Sequence, residues 1–196
     1  MHAPDHRTVL ATAALLAFSL GSLGAPGAAR AALEPGAKAP DFSARATLGG
    51  KEYDASLAAM LRQGPVVLYF YPAAFTSGCT VEAHDFAAAM PEFRSLGAQV
   101  LGISEDKIEK LDRFSVSECQ SKFPVAADND GQVAHAYKAT MPVFSGYASR
   151  TSYAIAPDGT VLAVYSALNP DQHVSKMMDA IKAYDLKTGR AATPSN

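Results

Sequence analysis

Pro65-Val-Val-Leu-Tyr-Phe-Tyr71, followed directly by Pro72-Ala-Ala-Phe-Thr76-Ser-Gly-Cys79-Thr-Val-Glu82, is the stretch that decides the fold. Its first half is a continuous apolar, β-branched and aromatic run, the composition of a central strand buried on both faces. Pro72, with no N–H to offer a ladder, ends it. Helix formers then run from Cys79 to Leu96, with apolar residues at Val81, Phe86, Met90 and Phe93. Gly97 closes that helix. Pro91 inside it is expected to kink or restart it, because proline lacks an N–H and crowds the preceding turn.

Working outward, Ala98 to Ser104 reads as a second buried strand, and Lys107 to about Cys119 as an amphipathic helix displaying Ile108, Leu111 and Phe114. Phe123 to Ala127 is a short extended piece, since the residue before a proline is biased out of the helical region. Gln132 to Lys138 makes a short helix, and a loop of roughly a dozen residues follows, with Met141, Pro142, Phe144, Gly146 and Tyr147. Thr151–Ala156 and Val161–Tyr165, joined at Pro157-Asp-Gly159, form an antiparallel hairpin, and Pro170–Tyr184 supplies a last helix. Upstream, Ala46 to Tyr53 is a hairpin around Gly49-Gly50. The order β-α-β-α, then β-β-α, predicts an α/β chain of thioredoxin-like plan. Its mixed central sheet is flanked by helices and carries the N-terminal hairpin as an extension.

The chain has 196 residues, 48% apolar and 18% charged, with a formal net charge of -2. Those values describe one globular domain and exclude disorder. No Lys/Arg block provides a footprint for a phosphate backbone, so nucleic acid is not an expected partner. Residues 1–31 read as an export signal, because the apolar segment Val9–Leu20 is too short for a bilayer span and Ala29-Arg30-Ala31 fits a cleavage site. The expected organisation is therefore a signal peptide over 1–31, one domain over 32–186 and a loose polar tail over 187–196. The processed protein is expected in the periplasm or secreted, without stable membrane association.

Two cysteines cannot make a disulfide framework, so each is either core filler or chemistry. Cys79 stands where a buried strand gives way to a helix, the end of an open α/β sheet at which ligands approach. The unpaired N–H groups and the positive end of the helix dipole there favour a thiolate. Thr76 can donate its hydroxyl to the sulfur or to an oxygen beside it. Glu82, one turn on, can orient a guanidinium without lying against the sulfur. Pro72 can shield one side from water, and Arg150, just before a central strand, supplies a permanent cation. No Gly-rich phosphate loop occurs.

Pro72-x-x-x-Thr76-x-x-Cys79 resembles the active-site motif of peroxiredoxins, and the likeness extends from Gly36-Ala-Lys-Ala-Pro-Asp-Phe42 to about Tyr184. The chain is most similar to the bacterioferritin-comigratory, or Q-type, branch. The resemblance implies a thioredoxin-like thiol peroxidase for hydrogen peroxide and organic hydroperoxides, needing no metal, haem or flavin. It implies Cys79 as the peroxidatic cysteine, Thr76 and Pro72 as its motif partners, and Arg150 as the active-site arginine. Many relatives place a resolving cysteine five residues after the first, where this chain has His84, read here as a solvated or hydrogen-bonded helix residue.

Cys119, the only other thiol, is expected to resolve Cys79 as an intramolecular disulfide, re-reduced by an external thioredoxin-like dithiol protein. A monomer is expected. Two rivals share the fold. An exported thiol–disulfide oxidoreductase would need a second thiol one turn from the first, where Val81, Glu82 and Ala83 stand. A copper-binding module would need clustered thiols and a histidine on the Arg150 loop.

Overall fold

The computed structural model describes residues 32–189; the expected signal peptide and residues 190–196 lie outside them. In chain order the elements are β1 (Ser43–Leu48), β2 (Lys51–Ser56), α1 (Leu57–Leu61), β3 (Val66–Phe70), α2 (Ser77–Ser95), β4 (Gln99–Ser104), α3 (Ile108–Ser117), β5 (Val125–Ala127), α4 (Gln132–Ala136), β6 (Thr151–Ile155), β7 (Val161–Ser166) and α5 (His173–Thr188). The strands form one seven-stranded sheet in the order β2-β1-β5-β4-β3-β6-β7.

All five residues of β3 are fully buried, as the apolar run requires. Alternation along the strand divides them between two cores. Val67 and Tyr69, with Tyr71 just beyond, pack with Phe86 and Phe93 of α2, Phe114 of α3 and Met177 and Ile181 of α5. Val66, Leu68 and Phe70 pack on the other face with Leu57 and Met60 of α1 and Val133 of α4. Each such side chain contributes about 1.5–3 kcal/mol by leaving water, so β3 is fixed in register from both sides. It pairs parallel with β4 and antiparallel with β6, which makes the sheet mixed as expected.

Several boundaries differ from the sequence reading, each for a local reason. The hairpin forms around Gly49 and Gly50, both left-handed (φ 59° and 76°), as a two-residue hairpin turn demands. It extends the central sheet at one edge, as expected, because β1 also pairs with β5. α2 neither breaks nor restarts at Pro91, which lies on its exposed side while Met90 and Phe93 anchor the same segment in the core. α3 stops at Ser117, short of Cys119, because Gln120 and Ser121 adopt left-handed backbone (φ 53° and 54°). α1 is too short to show a period; the Ser56 side chain that accepts from Ala59 N–H starts it. α5 begins at His173 rather than Pro170 and runs two residues into the expected tail. No helix of the described residues is long and apolar enough to cross a membrane.

Candidate active site

Cys79 lies in the first turn of α2, third in the helix after the cap residue Thr76, and is buried. The opening N–H groups of a helix have no acceptor within it, and Cys79 stands in the turn that carries them. Across the sheet end, Arg150 directly precedes β6, the strand paired with β3. That pairing brings a residue 71 positions away in sequence to the cysteine, with Arg150 Nη2 donating to Cys79 Sγ at 3.4 Å.

The guanidinium is held at three points. Nη1 donates to Glu82 Oε2 and Nε donates to the Leu168 carbonyl at 2.9 Å, leaving Nη2 to face the sulfur. Glu82 is fully buried, and burial pushes its carboxyl up to about 7 against the pull of Arg150. Glu82 thus orients the arginine, as its place one turn beyond Cys79 suggested. Gly78 makes the approach possible, since a Cβ there would lie 3.0 Å from Arg150 Nη2.

Thr76 is exposed, and its hydroxyl donates to the Ala73 carbonyl at 2.9 Å rather than to Cys79. With its proton committed there, its oxygen is free to accept from a molecule entering the site. The expected donation to the sulfur is not made in this conformation. Pro72 is half-buried at the end of β3, where the chain turns towards α2.

The loop between them is pinned by a residue that sequence reasoning missed. Asp106 Oδ2 accepts from Ala74 N–H at 2.6 Å and from the Ser104 hydroxyl at 3.0 Å, while Oδ1 pairs with Lys110 at 2.7 Å. A carboxylate two residues after a buried strand was the available signal. Phe75, left-handed at φ 66°, lies edge-on against Phe114 beside this anchor. A non-glycine residue in that conformation marks a segment the surroundings hold in place.

Cys119 is a free thiol like Cys79, and it is completely buried just past α3. Burial raises its pKa far above the ordinary thiol range, so in this conformation it stays protonated. Tyr69 and Tyr71 of the shared core come within electrostatic reach of both thiols. Both thiols are free, so no disulfide joins Cys119 to Cys79 in this conformation. His84 is half-exposed, with Nε2 3.0 Å from Glu118 Oε2, and does not join the site.

Residues 35–164 match the model of the AhpC/TSA family. The chain is 35% identical over 124 residues to peroxiredoxin Bcp of Escherichia coli, covering 61% of this chain and 79% of that protein. It is 30% identical over 125 residues to peroxiredoxin Bcp of Xanthomonas campestris, covering 61% and 77%. Among solved structures it superposes on peroxidoxin BcpB of Mycobacterium tuberculosis with a TM-score of 0.70 at 31% identity, over 77% of this chain and 97% of that one.

Proposed function

The chain belongs to the AhpC/TSA family of peroxiredoxins, and from that membership we propose that it reduces hydrogen peroxide and organic hydroperoxides through Cys79. One observation carries this reading: a guanidinium fixed by Glu82 meets the sulfur at a helix start. The position one turn beyond Cys79 holds that buried carboxyl, not the second thiol a disulfide exchanger needs.

In the proposed step the Cys79 thiolate forms a bond to the terminal peroxide oxygen, and the O–O bond breaks with both electrons leaving on the other oxygen. Arg150 Nη2 and the free amides of the α2 start stabilise that developing anion, which then takes a proton from solvent. Thr76, whose own proton is committed to the Ala73 carbonyl, accepts from the incoming peroxide O–H. Cys79 becomes a sulfenic acid.

Cys119 then displaces hydroxide from that sulfenic acid, giving a disulfide and water, and an external dithiol protein of thioredoxin type returns both sulfurs to thiols. Cys119 has to leave the core for this. Two consecutive left-handed residues behind it, at about 1–2 kcal/mol each, favour opening of that turn. One chain supplies both thiols, so a monomer suffices. Residues 1–31 direct export in the same reading, and N-terminal sequencing of the protein recovered outside the cytoplasm should begin at Ala32.

Peroxide consumption with a thioredoxin-type dithiol system tests the cycle. Cys79→Ser should abolish it, and Cys119→Ser should complete one turnover and then stall. Unimpaired multiple turnover by Cys119→Ser would remove Cys119 from the cycle, and turnover by Cys79→Ser would remove the whole reading.

A further inference from the structure

Behind Glu82 lies a histidine to which the peroxidase chemistry gives no role. His173, the first residue of α5, is fully buried against the face of Glu82 opposite Arg150. Its Nε2 lies 3.0 Å from the Ala167 carbonyl, which can only accept, so Nε2 carries a hydrogen. In the neutral ring Nδ1 then presents a lone pair. That lone pair faces the Ser152 hydroxyl at 2.8 Å and Glu82 Oε1 at 3.5 Å. Glu82 Oε1 is buried and has no other partner among the described residues.

Resting on the peroxidase reading, we propose that His173 is a positioning residue: its Nδ1 accepts a proton carried on Glu82 Oε1, so that Glu82 holds Arg150 as a neutral acid. The guanidinium charge is then left for the Cys79 thiolate. An ionised Oε1 would set a bare negative oxygen against an imidazole lone pair in a dry site, which costs free energy unless a proton lies between them. The proton stays on the glutamate because burial and the neighbouring Arg150 hold the imidazole down, at about 4, whereas burial lifts the carboxyl to about 7.

Charge counting supports the same arrangement. Moving a proton from Cys79 to Glu82 exchanges one anion for the other beside the single Arg150 cation, so the buried site keeps its net charge. The other groups beside the pair are Asp85 on α2, whose charge raises the Glu82 carboxyl, and the Tyr165 ring on β7, edge-on to His173 at 4.7 Å. Neither carries a compensating positive charge.

Ser152 competes for the Nδ1 lone pair through a rotatable hydroxyl. This competition gives two variants opposite expected effects. The rate constant for peroxide reaction at Cys79, measured against pH on the full chain, should fall along a limb near pH 7 as Glu82 loses its proton. In His173→Leu the limb should move to lower pH by at least about half a unit, and His173→Asn, which restores an acceptor, should reverse the shift. Ser152→Ala should move it to higher pH, and Glu82→Gln, a permanent neutral donor, should lack it.

Infrared difference spectra read the same proton without any turnover: a protonated carboxyl band should be present below pH 7, absent in Glu82→Gln and displaced in His173→Leu. Coincident profiles and an undisplaced band in folded His173→Leu, or shifts of the same sign in the His173 and Ser152 variants, would overturn the proposal. A wild type that consumes no peroxide would sink the peroxidase reading instead, while the infrared band would still decide the place of the proton.

Discussion

Gly78 shows how narrow the tolerances at the sulfur are. A methyl group there would meet Arg150 Nη2 at 3.0 Å, inside ordinary contact, and the guanidinium is held too firmly by Glu82 and Leu168 to yield freely. Gly78→Ala, which asks the guanidinium to give by a few tenths of an ångström, should therefore slow peroxide reaction by about tenfold, less than the roughly 100-fold that a 1 Å misplacement of a positioned group costs. Stopped-flow kinetics checks this, with circular dichroism expected to remain that of the wild type. Cys79 and Glu82 were legible in the sequence because local rules speak to each, a helix start and a one-turn spacing, whereas Arg150 was singled out by the family resemblance, with which a cation before a strand agrees. Gly78 and His173 were not legible, since their importance arises only from what the fold brings beside them, and Asp106 offered no more than its place two residues after a buried strand. Thr76 was half legible: its position was foreseen, but its hydroxyl donates to the Ala73 carbonyl and not to the sulfur.

Among the elements, α2 departs most instructively from expectation. Pro91 should have interrupted it, yet the helix runs from Ser77 to Ser95, held by Phe86, Met90 and Phe93 in the core. Tertiary burial outweighs one missing hydrogen bond, and a sequence shows the proline but not the packing opposite it. Pro91→Ala should restore that bond and stabilise the protein by about 2 kcal/mol, the helix penalty of proline less its entropic benefit to the folded chain. Urea unfolding measures the gain, and an unchanged peroxide rate is expected because Pro91 lies more than three turns from Cys79. The sheet was the readier part. β3, β4, β6 and β7 follow from continuous apolar runs and turn residues, whereas the pairing of β1 with β5 joins segments about 80 residues apart with nothing in either sequence to announce it.

For the whole molecule, two buried groups tie stability to pH in opposite directions. Glu82 is raised in the fold, so its contribution is fully present below its ordinary value of 4.5 and is lost as pH rises through about 7. His173 is lowered, so its contribution is present above 6.5 and is lost as pH falls through about 4. Replacing Glu82 by Gln removes the first dependence only. Relative to the wild type, Glu82→Gln should gain about 2–3 kcal/mol between pH 5 and pH 8, read from urea unfolding at the two pH values. Parallel curves would mean that Glu82 holds no proton in the fold. All of this serves one sulfur, and the most direct measurement is the rate and site of its oxidation. Reduced protein mixed rapidly with one equivalent of hydrogen peroxide, trapped with dimedone and mapped by peptide mass, should carry the adduct on Cys79, formed at least about 100-fold more slowly in Arg150→Met. An adduct on Cys119 instead, or equal rates in the two proteins, would contradict the account.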